Sequence, residues 1–305
     1  MTQVDLKAAP KRTERPVDVL HWLAACIRFD EVCVLQGAPL LGACFSMQAF
    51  NLHNLMTIAA LVVGNLFLVA HVFVLNDWAG IEGDMNDLNR AARTFVAKGV
   101  RRYEVGYLAI TLLALALLLF GSVSMTAFVA AVAIAVLSAL YSAPGINGKG
   151  RPIFNSALHL AGGTLHFLLG YSAFSSVSGP GIAFACYFGI VFAAGHLTHE
   201  ARDYDSDLRN GIRTNAVTFG RRRAVLASLV LFTIAYALLT GLALSDFVPL
   251  TLAFTVLFYP LHLFATFRAI RPAADFGSLR RLQDCYRRIH AVIGLVMLVA
   301  VPPWW

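Results

Sequence analysis

Residues 55–87 read LMTIAALVVGNLFLVAHVFVLNDWAGIEGDMND. Positions 55–75 contain no Asp, Glu, Lys or Arg, and Asp77, Glu82, Asp84 and Asp87 follow at once. An uncharged run of this length suits a helix crossing a hydrocarbon core of about 30 Å, which takes about 20 residues. The stretch therefore reads as a membrane span that ends in an acidic loop at the surface.

The same alternation runs through the chain. Apolar blocks fall near 31–48, 55–75, 104–121, 123–141, 154–174, 181–199, 224–243, 247–267 and 289–304. Hydrophobic residues make up 58% and charged residues 13%, with a mean hydropathy of +0.69; soluble domains carry roughly 25% charged residues. The expected fold is an all-α integral membrane protein of about nine transmembrane helices. The first twenty residues, MTQVDLKAAPKRTERPVDVL, are polar and basic with no apolar centre. They read as a cytosolic tail rather than a cleaved signal, leaving residues 21–305 as the membrane domain.

Orientation follows from the cations. Every Lys and Arg lies ahead of the first span or in the long loops 76–103, 142–153, 200–223 and 268–288. The short loops near 49–54, 122, 175–180 and 244–246 hold none. The positive-inside rule makes the charged side cytoplasmic, in what reads as a bacterial plasma membrane, and places Trp304 and Trp305 at the far interface. Topology thus explains the net charge of +7 without a nucleic-acid partner. The basic stretch 273–288 reads either as a helix lying on the cytoplasmic surface or as a plain connector. The five cysteines have no CxxC spacing; they suggest small buried thiols, not a disulfide framework or a zinc site.

Two loops carry chemistry. If the second span continues past Leu75, then Asn76, Gly80, Asp84 and Asp87 follow one helical path with Asp77 beside them. After the sixth span, Glu200, Asp203 and Asp207 stand at i, i+3 and i+7, and Gly211 is placed to stop the helix. Carboxylates crowded on one face repel unless they are solvated or neutralised by a cation. Oxygen-rich clusters on one side of a bundle suit Mg²⁺, which binds a few carboxylates and takes its other ligands from water and substrate phosphates. Arg93, Lys98, Lys149 and Arg202 are candidates to hold the rest of a diphosphate.

Between these loops lies Tyr141-Ser142-Ala143-Pro144-Gly145-Ile146-Asn147-Gly148-Lys149, in which Pro144 and Gly145 end a helix. The fifth span presents Asn155, His159, Gly162, Gly163 and His166 on one face. Polar residues and glycines in a span either line a cavity or bring helices together, and both readings stay open for this face. His71 and His196, near the inner ends of spans two and six, have the same two readings.

These residues resemble the UbiA-type intramembrane prenyltransferases. The first motif of that family, NDxxDxxxD, is matched by Asn76-Asp77 through Asp84, with Gly80 standing where the middle Asp is usual. The second is matched by Arg202-Asp203, Asp207, Gly211, Thr214, Ala216 and Val217. A YSxP turn with a following Lys and Asn is matched by Tyr141, Ser142, Pro144, Lys149 and Asn155. The Arg-Pro-Ile stretch that often follows the first motif becomes Arg93-Thr94-Phe95.

The resemblance covers nearly the whole chain. It implies helices around a central cavity that opens sideways to lipid, and transfer of an isoprenoid from its diphosphate to an aromatic or other electron-rich small-molecule acceptor. Asn76, Asp77, Asp84, Asp203 and Asp207 are then the expected Mg²⁺ ligands, the four aspartates being the catalytic set. Tyr141, Asn155, His159 and Glu200 are expected to face substrate. Two other functions fit the same sequence: a membrane terpene cyclase using the same ionisation, and a non-catalytic lipid-binding or transport protein.

Overall fold

The computed structural model describes residues 26–86, 91–271 and 274–300, all of the regular structure being helical. The tail 1–20, Asp87 and the terminal tryptophans lie outside these residues. In chain order the α-helices are α1 (Phe29–Val34), α2 (Gly37–Ser46), α3 (Leu52–Met85), α4 (Arg102–Val123), α5 (Met125–Ser142), α6 (Phe154–Tyr171), α7 (Gly179–Arg209), α8 (Asn215–Phe219), α9 (Arg221–Leu244), α10 (Tyr259–Ile270) and α11 (Phe276–Ala300). A 3₁₀ segment, Leu250–Phe258, runs directly into α10.

By length and composition, six helical segments among the described residues can cross a membrane: α3, α4, α5, α7, α9 and Leu250–Ile270. The other three expected spans fall on the α1–α2 pair, on α6 and on the C-terminal half of α11. The first is not one rod, because the chain breaks between Val34 and Gly37.

Local chemistry sets the helix ends. Asn51, Ser124, Ser178 and Thr214 each accept a backbone N–H in the first turn of the following helix, satisfying donors that have no intrahelical partner. Helix α7 stops as its sequence suggests, with Gly211 in the left-handed region at φ +66°. Helix α3 does continue past Leu75, to Met85, carrying the first acidic motif on its last turns.

The basic stretch 273–288 is neither a separate surface helix nor a connector. From Phe276 it forms the first half of α11, and Leu279, Leu282, Gln283 and Tyr286 are buried along one side of it. Its alternation of apolar and basic residues is the pattern of a helix packed on one face. The five cysteines are free, as expected, but Cys33 is exposed and Cys26 alone is buried.

Glycines set how closely α6 approaches its neighbours. A Cβ added at Gly163 would stand 2.7 Å from Phe192 Cβ and 2.9 Å from the Phe188 carbonyl, and one at Gly189 would meet Thr164 Oγ1 at 2.2 Å. The backbones of α6 and α7 therefore touch, a contact only residues without side chains permit. On the other side of α6, a Cβ at Gly170 would overlap the Pro39 carbonyl of α2 at 1.8 Å. Gly189→Val is expected to push α6 and α7 apart, with an overpacking cost of about 1–3 kcal/mol or more. Thermal unfolding in detergent measures it; an unchanged melting temperature would contradict the contact.

Candidate active site

Helices α3, α5, α6 and α7, the loop after α5 and the segment ahead of α1 surround a cavity of about 290 Å³. Its lining combines apolar side chains, including Val69, Ile134, Leu137, Leu158 and Phe192, with a polar group made of Asn76, Tyr141, Lys149, His159, Glu200, Arg202, Asp203 and Asp207. Those eight were all singled out in the sequence, and the fold brings them to one space from α3, α5, the loop after α5, α6 and α7.

The second motif is laid out by α7. Its helical spacing turns Glu200, Asp203 and Asp207 to one side, and all three reach the cavity. Arg202 donates from Nε and Nη2 to the two oxygens of Asp203 at 2.8 and 3.1 Å, and from Nη1 to Gln283 Oε1 at 2.5 Å. The buried half of α11 thus holds the motif arginine. Asp207 is buried, and Lys149 Nζ stands 3.9 Å from its Oδ1.

Glu200, 4% exposed, is the centre of a buried polar network. Its oxygens accept from Asn155 Nδ2 at 2.5 Å, Asn215 N at 3.1 Å and Asn215 Nδ2 at 3.0 Å. Asn215 also donates to Asn155 Oδ1 at 2.6 Å, and its own Oδ1 accepts from Ile153 N at 2.7 Å. Asn155 Nδ2 reaches the Lys149 carbonyl at 3.1 Å as well. The network ties α7, α8 and the loop carrying Lys149 together, and it holds Ile153 at φ +65°, a strained value for a β-branched residue. Asn155 is therefore a support of the site, fully buried, and does not line the cavity.

The two readings of the fifth-span face are both realised. His159, Gly162 and His166 line the cavity, while Gly163 and Asn155 join helices. The rings of His159 and His196 stack at 3.6 Å with 10° between planes, and Tyr141 meets His159 edge-on at 5.0 Å. His166 Nε2 pairs with Asn65 Oδ1 at 2.6 Å, and Asn65 Nδ2 donates to Gln36 Oε1 at 2.9 Å. His71, by contrast, is an interhelical tie, with Nδ1 2.8 Å from the Ala109 carbonyl of α4.

The first motif is less gathered. Asn76 lines the cavity and accepts from Ser142 Oγ at 3.4 Å. Asp77 is held by Arg28 through both Nε and Nη2, and neither Asp77, Asp84 nor Lys98 is part of the lining. The end of α3 does meet the end of α7, where Asn210 Nδ2 donates to the Gly83 carbonyl at 3.2 Å. Glu82 points elsewhere, 3.4 Å from Arg102. The side chain of Arg93 lies outside the described residues.

Sequence reasoning missed four contributors. Arg28 lines the cavity, binds Asp77 and lies over the Phe73 ring at 5.6 Å; in the sequence it counted only toward topology. His199 lines the cavity beside the motif, Gln283 anchors Arg202, and Asn215 completes the Glu200 network. Only Asn215 had a usable signal, its place inside the second motif directly after Thr214.

No group of three or more His, Cys, Asp or Glu side chains converges on one point among the described residues. Mg²⁺ does not require one, since one or two carboxylates with water and phosphate oxygens suffice. Asp203, Asp207 and Asn76, lining one cavity, form a donor set of hard oxygens that fits such an ion.

The fold and cavity define an all-helical integral membrane protein with an interior pocket lined by both charged and apolar side chains. Its sequence matches the profile of the UbiA prenyltransferase family over residues 38–281, and the chain belongs to that family. Solved structures share the fold at low identity. A UbiA homologue from Archaeoglobus fulgidus bound to GPP and Mg²⁺ is 19% identical with a TM-score of 0.70, the alignment covering 92% of this chain and 98% of that one. A digeranylgeranylglyceryl phosphate synthase structure gives 17% and 0.72, covering 93% and 99%. The apo UbiA homologue from Aeropyrum pernix K1 gives 17% and 0.69, covering 90% and 98%. No curated protein sequence matches the chain significantly.

Proposed function

We propose that the protein transfers a prenyl group from an isoprenoid diphosphate to an aromatic or other electron-rich acceptor inside the membrane, with Mg²⁺ as cofactor and its acidic loops on the cytoplasmic side. The observation that carries this is the cavity itself: acids and cations at Asp203, Asp207, Arg202, Lys149 and Arg28 share one space with an apolar wall. That combination suits a ligand with an anionic head and a hydrocarbon body. The neighbouring structures with GPP or DMAPP and Mg²⁺ support the same class of substrate.

Asp203, Asp207 and Asn76 would hold the metal, with Asp77 and Asp84 completing the first-motif side. Bound there, Mg²⁺ would neutralise charge on the departing diphosphate. Lys149 and Arg202 bind phosphate oxygens, as Arg93 and Lys98 would from the loop after α3. As the allylic C–O bond breaks, its electron pair leaves with the diphosphate. These fixed charges stabilise the leaving group. Tyr141 and Phe192 line the cavity, and aromatic π faces stabilise a nearby carbocation.

The test is product analysis. Purified protein in nanodiscs is given GPP or a longer prenyl diphosphate with Mg²⁺, with and without resorcinol, hydroquinone or 1,4-dihydroxynaphthalene. A prenylated arene is the expected product. A cyclic hydrocarbon formed without acceptor would replace the transferase by a cyclase, and no diphosphate release from any substrate would favour a non-catalytic protein.

Gly80 offers a sharper probe. An added Cβ there meets nothing within 4 Å, and within a helix interior Asp is no worse than Gly. Gly80→Asp is therefore expected to fold and to lower the Mg²⁺ concentration for half-maximal activity, by roughly tenfold if the new carboxylate contributes about 1.4 kcal/mol to metal binding. An Mg²⁺ titration of activity checks it; an unchanged midpoint would place the metal away from α3.

A further inference from the structure

Prenylation of an arene leaves a proton to be removed, and we infer that His159 Nε2 is the base that takes it. The inference rests on the transferase reading above and names the group that finishes the reaction. Its first support is a tautomer fixed by geometry. His159 Nδ1 lies 2.8 Å from the backbone carbonyl of Asn155, one turn earlier on α6. A carbonyl only accepts, so Nδ1 carries the hydrogen and the neutral ring has its lone pair on Nε2. Nδ1 faces its own helix, so Nε2 stands at the far end of the ring, and His159 is part of the cavity wall.

The second support is the set of groups around the ring. His196 from α7 stacks on it at 3.6 Å, Phe192 lies at 5.5 Å and Tyr141 from α5 meets it edge-on at 5.0 Å. These contacts hold the imidazole in one orientation. The anionic group facing the pair is Glu200, whose Oε1 is 3.1 Å from His196 Nε2 without the alignment of a hydrogen bond. Asn155 joins the two systems, giving its amide to Glu200 and its carbonyl to His159. Three N–H donors converge on Glu200, which suits a carboxylate and fixes it beside the pair. The cation facing this group is Lys149, across the cavity lining beside Asp207.

The step balances without another reagent. The allylic cation forms a C–C bond to the ring carbon of a hydroxyarene, giving an arenium ion. The ring C–H bond then breaks, its electron pair restores aromaticity, and the proton goes to Nε2. The imidazolium later releases it to water. The acceptor class that follows is a hydroxyarene with an unsubstituted ring position.

The experiment uses GPP and whichever of the three phenolic probes is prenylated, in protiated form and deuterated at the attacked carbon. Wild type is expected to show no isotope effect on turnover, because ionisation precedes proton loss. His159→Asn keeps a donor for the Asn155 carbonyl and removes Nε2. It is expected to lower transfer by about a hundredfold or more, to reveal a primary isotope effect, and to shift product from prenylated arene toward prenyl alcohol. Imidazole added to His159→Gly should restore transfer in part. Loss of rate in both variants without isotope effect or rescue would assign His159 to the aromatic stack alone, and transfer at the wild-type rate would also overturn the inference. If prenyl diphosphate is consumed and no phenol is prenylated, the transferase reading fails first and the base falls with it.

Discussion

Asp203→Ala is expected to lower turnover by about 10²–10³-fold, equivalent to about 3–4 kcal/mol of transition-state stabilisation, while the bundle stays folded and membrane-inserted. The fold survives because Ala is the stronger helix former, and α7 is held elsewhere by its packing on α6 and α9. Chemistry is lost because Asp203 belongs to the donor set proposed for the metal. Binding and turnover should separate. Removing the carboxylate that accepts Arg202 Nε and Nη2 at 2.8 and 3.1 Å leaves an unneutralised guanidinium beside the cavity. The prenyl diphosphate should still bind while its C–O bond no longer breaks at a useful rate. Steady-state kinetics with GPP and Mg²⁺ should give a collapsed kcat with KM near or below that of wild type. Full activity in Asp203→Ala would sink the metal assignment.

Glu200→Ala is expected to destabilise the protein by about 3–5 kcal/mol, because it strips a buried carboxylate from donors that have no water to turn to. Asn155 Nδ2, Asn215 N and Asn215 Nδ2 would all lose their shared acceptor. The consequence should spread to the loop carrying Lys149, whose carbonyl is held by Asn155 and whose Ile153 is held by Asn215. A lower melting temperature should therefore come with a higher KM for prenyl diphosphate. Glu200→Gln should be damaged too, since half of its amide is a donor facing donors. Thermal unfolding of Glu200→Ala, Asn215→Ala and the double variant checks the network. Strictly additive losses would mean the two residues act separately.

The fold makes the two acidic loops unequal. In sequence they look like a matched pair of Asp-rich helix ends. In the fold, α7 delivers Glu200, Asp203 and Asp207 to the cavity together, whereas α3 delivers Asn76 and leaves Asp77 in the grip of Arg28. Gly80, where an acid is usual, has open space around it. The α3 side is thus the lighter of the two, and Arg28 supplies positive charge beside it.

The sequence by itself determined that this is a helical membrane protein, where most spans lie, and which loops carry the acids. Those properties follow from the length of uncharged runs and from helical spacing, both local. It also marked eight residues that reach one cavity, because the i, i+3, i+7 positions of a helix must share a side wherever the helix goes. Only the tertiary structure decided how the segments meet. Arg28 and Gln283 sit 49 and 81 residues from the side chains they bind, and nothing in their local spacing sets them apart from other charged or amide residues near a membrane surface. The stack of His159 on His196 depends on the backbone contact at Gly163 and Gly189. The basic stretch 273–288 turned from a surface feature into a packed helix because Gln283 and its neighbours found partners on α7. The paired acidic loops became unequal for the same reason: a helix presents a face, and only packing decides what that face meets.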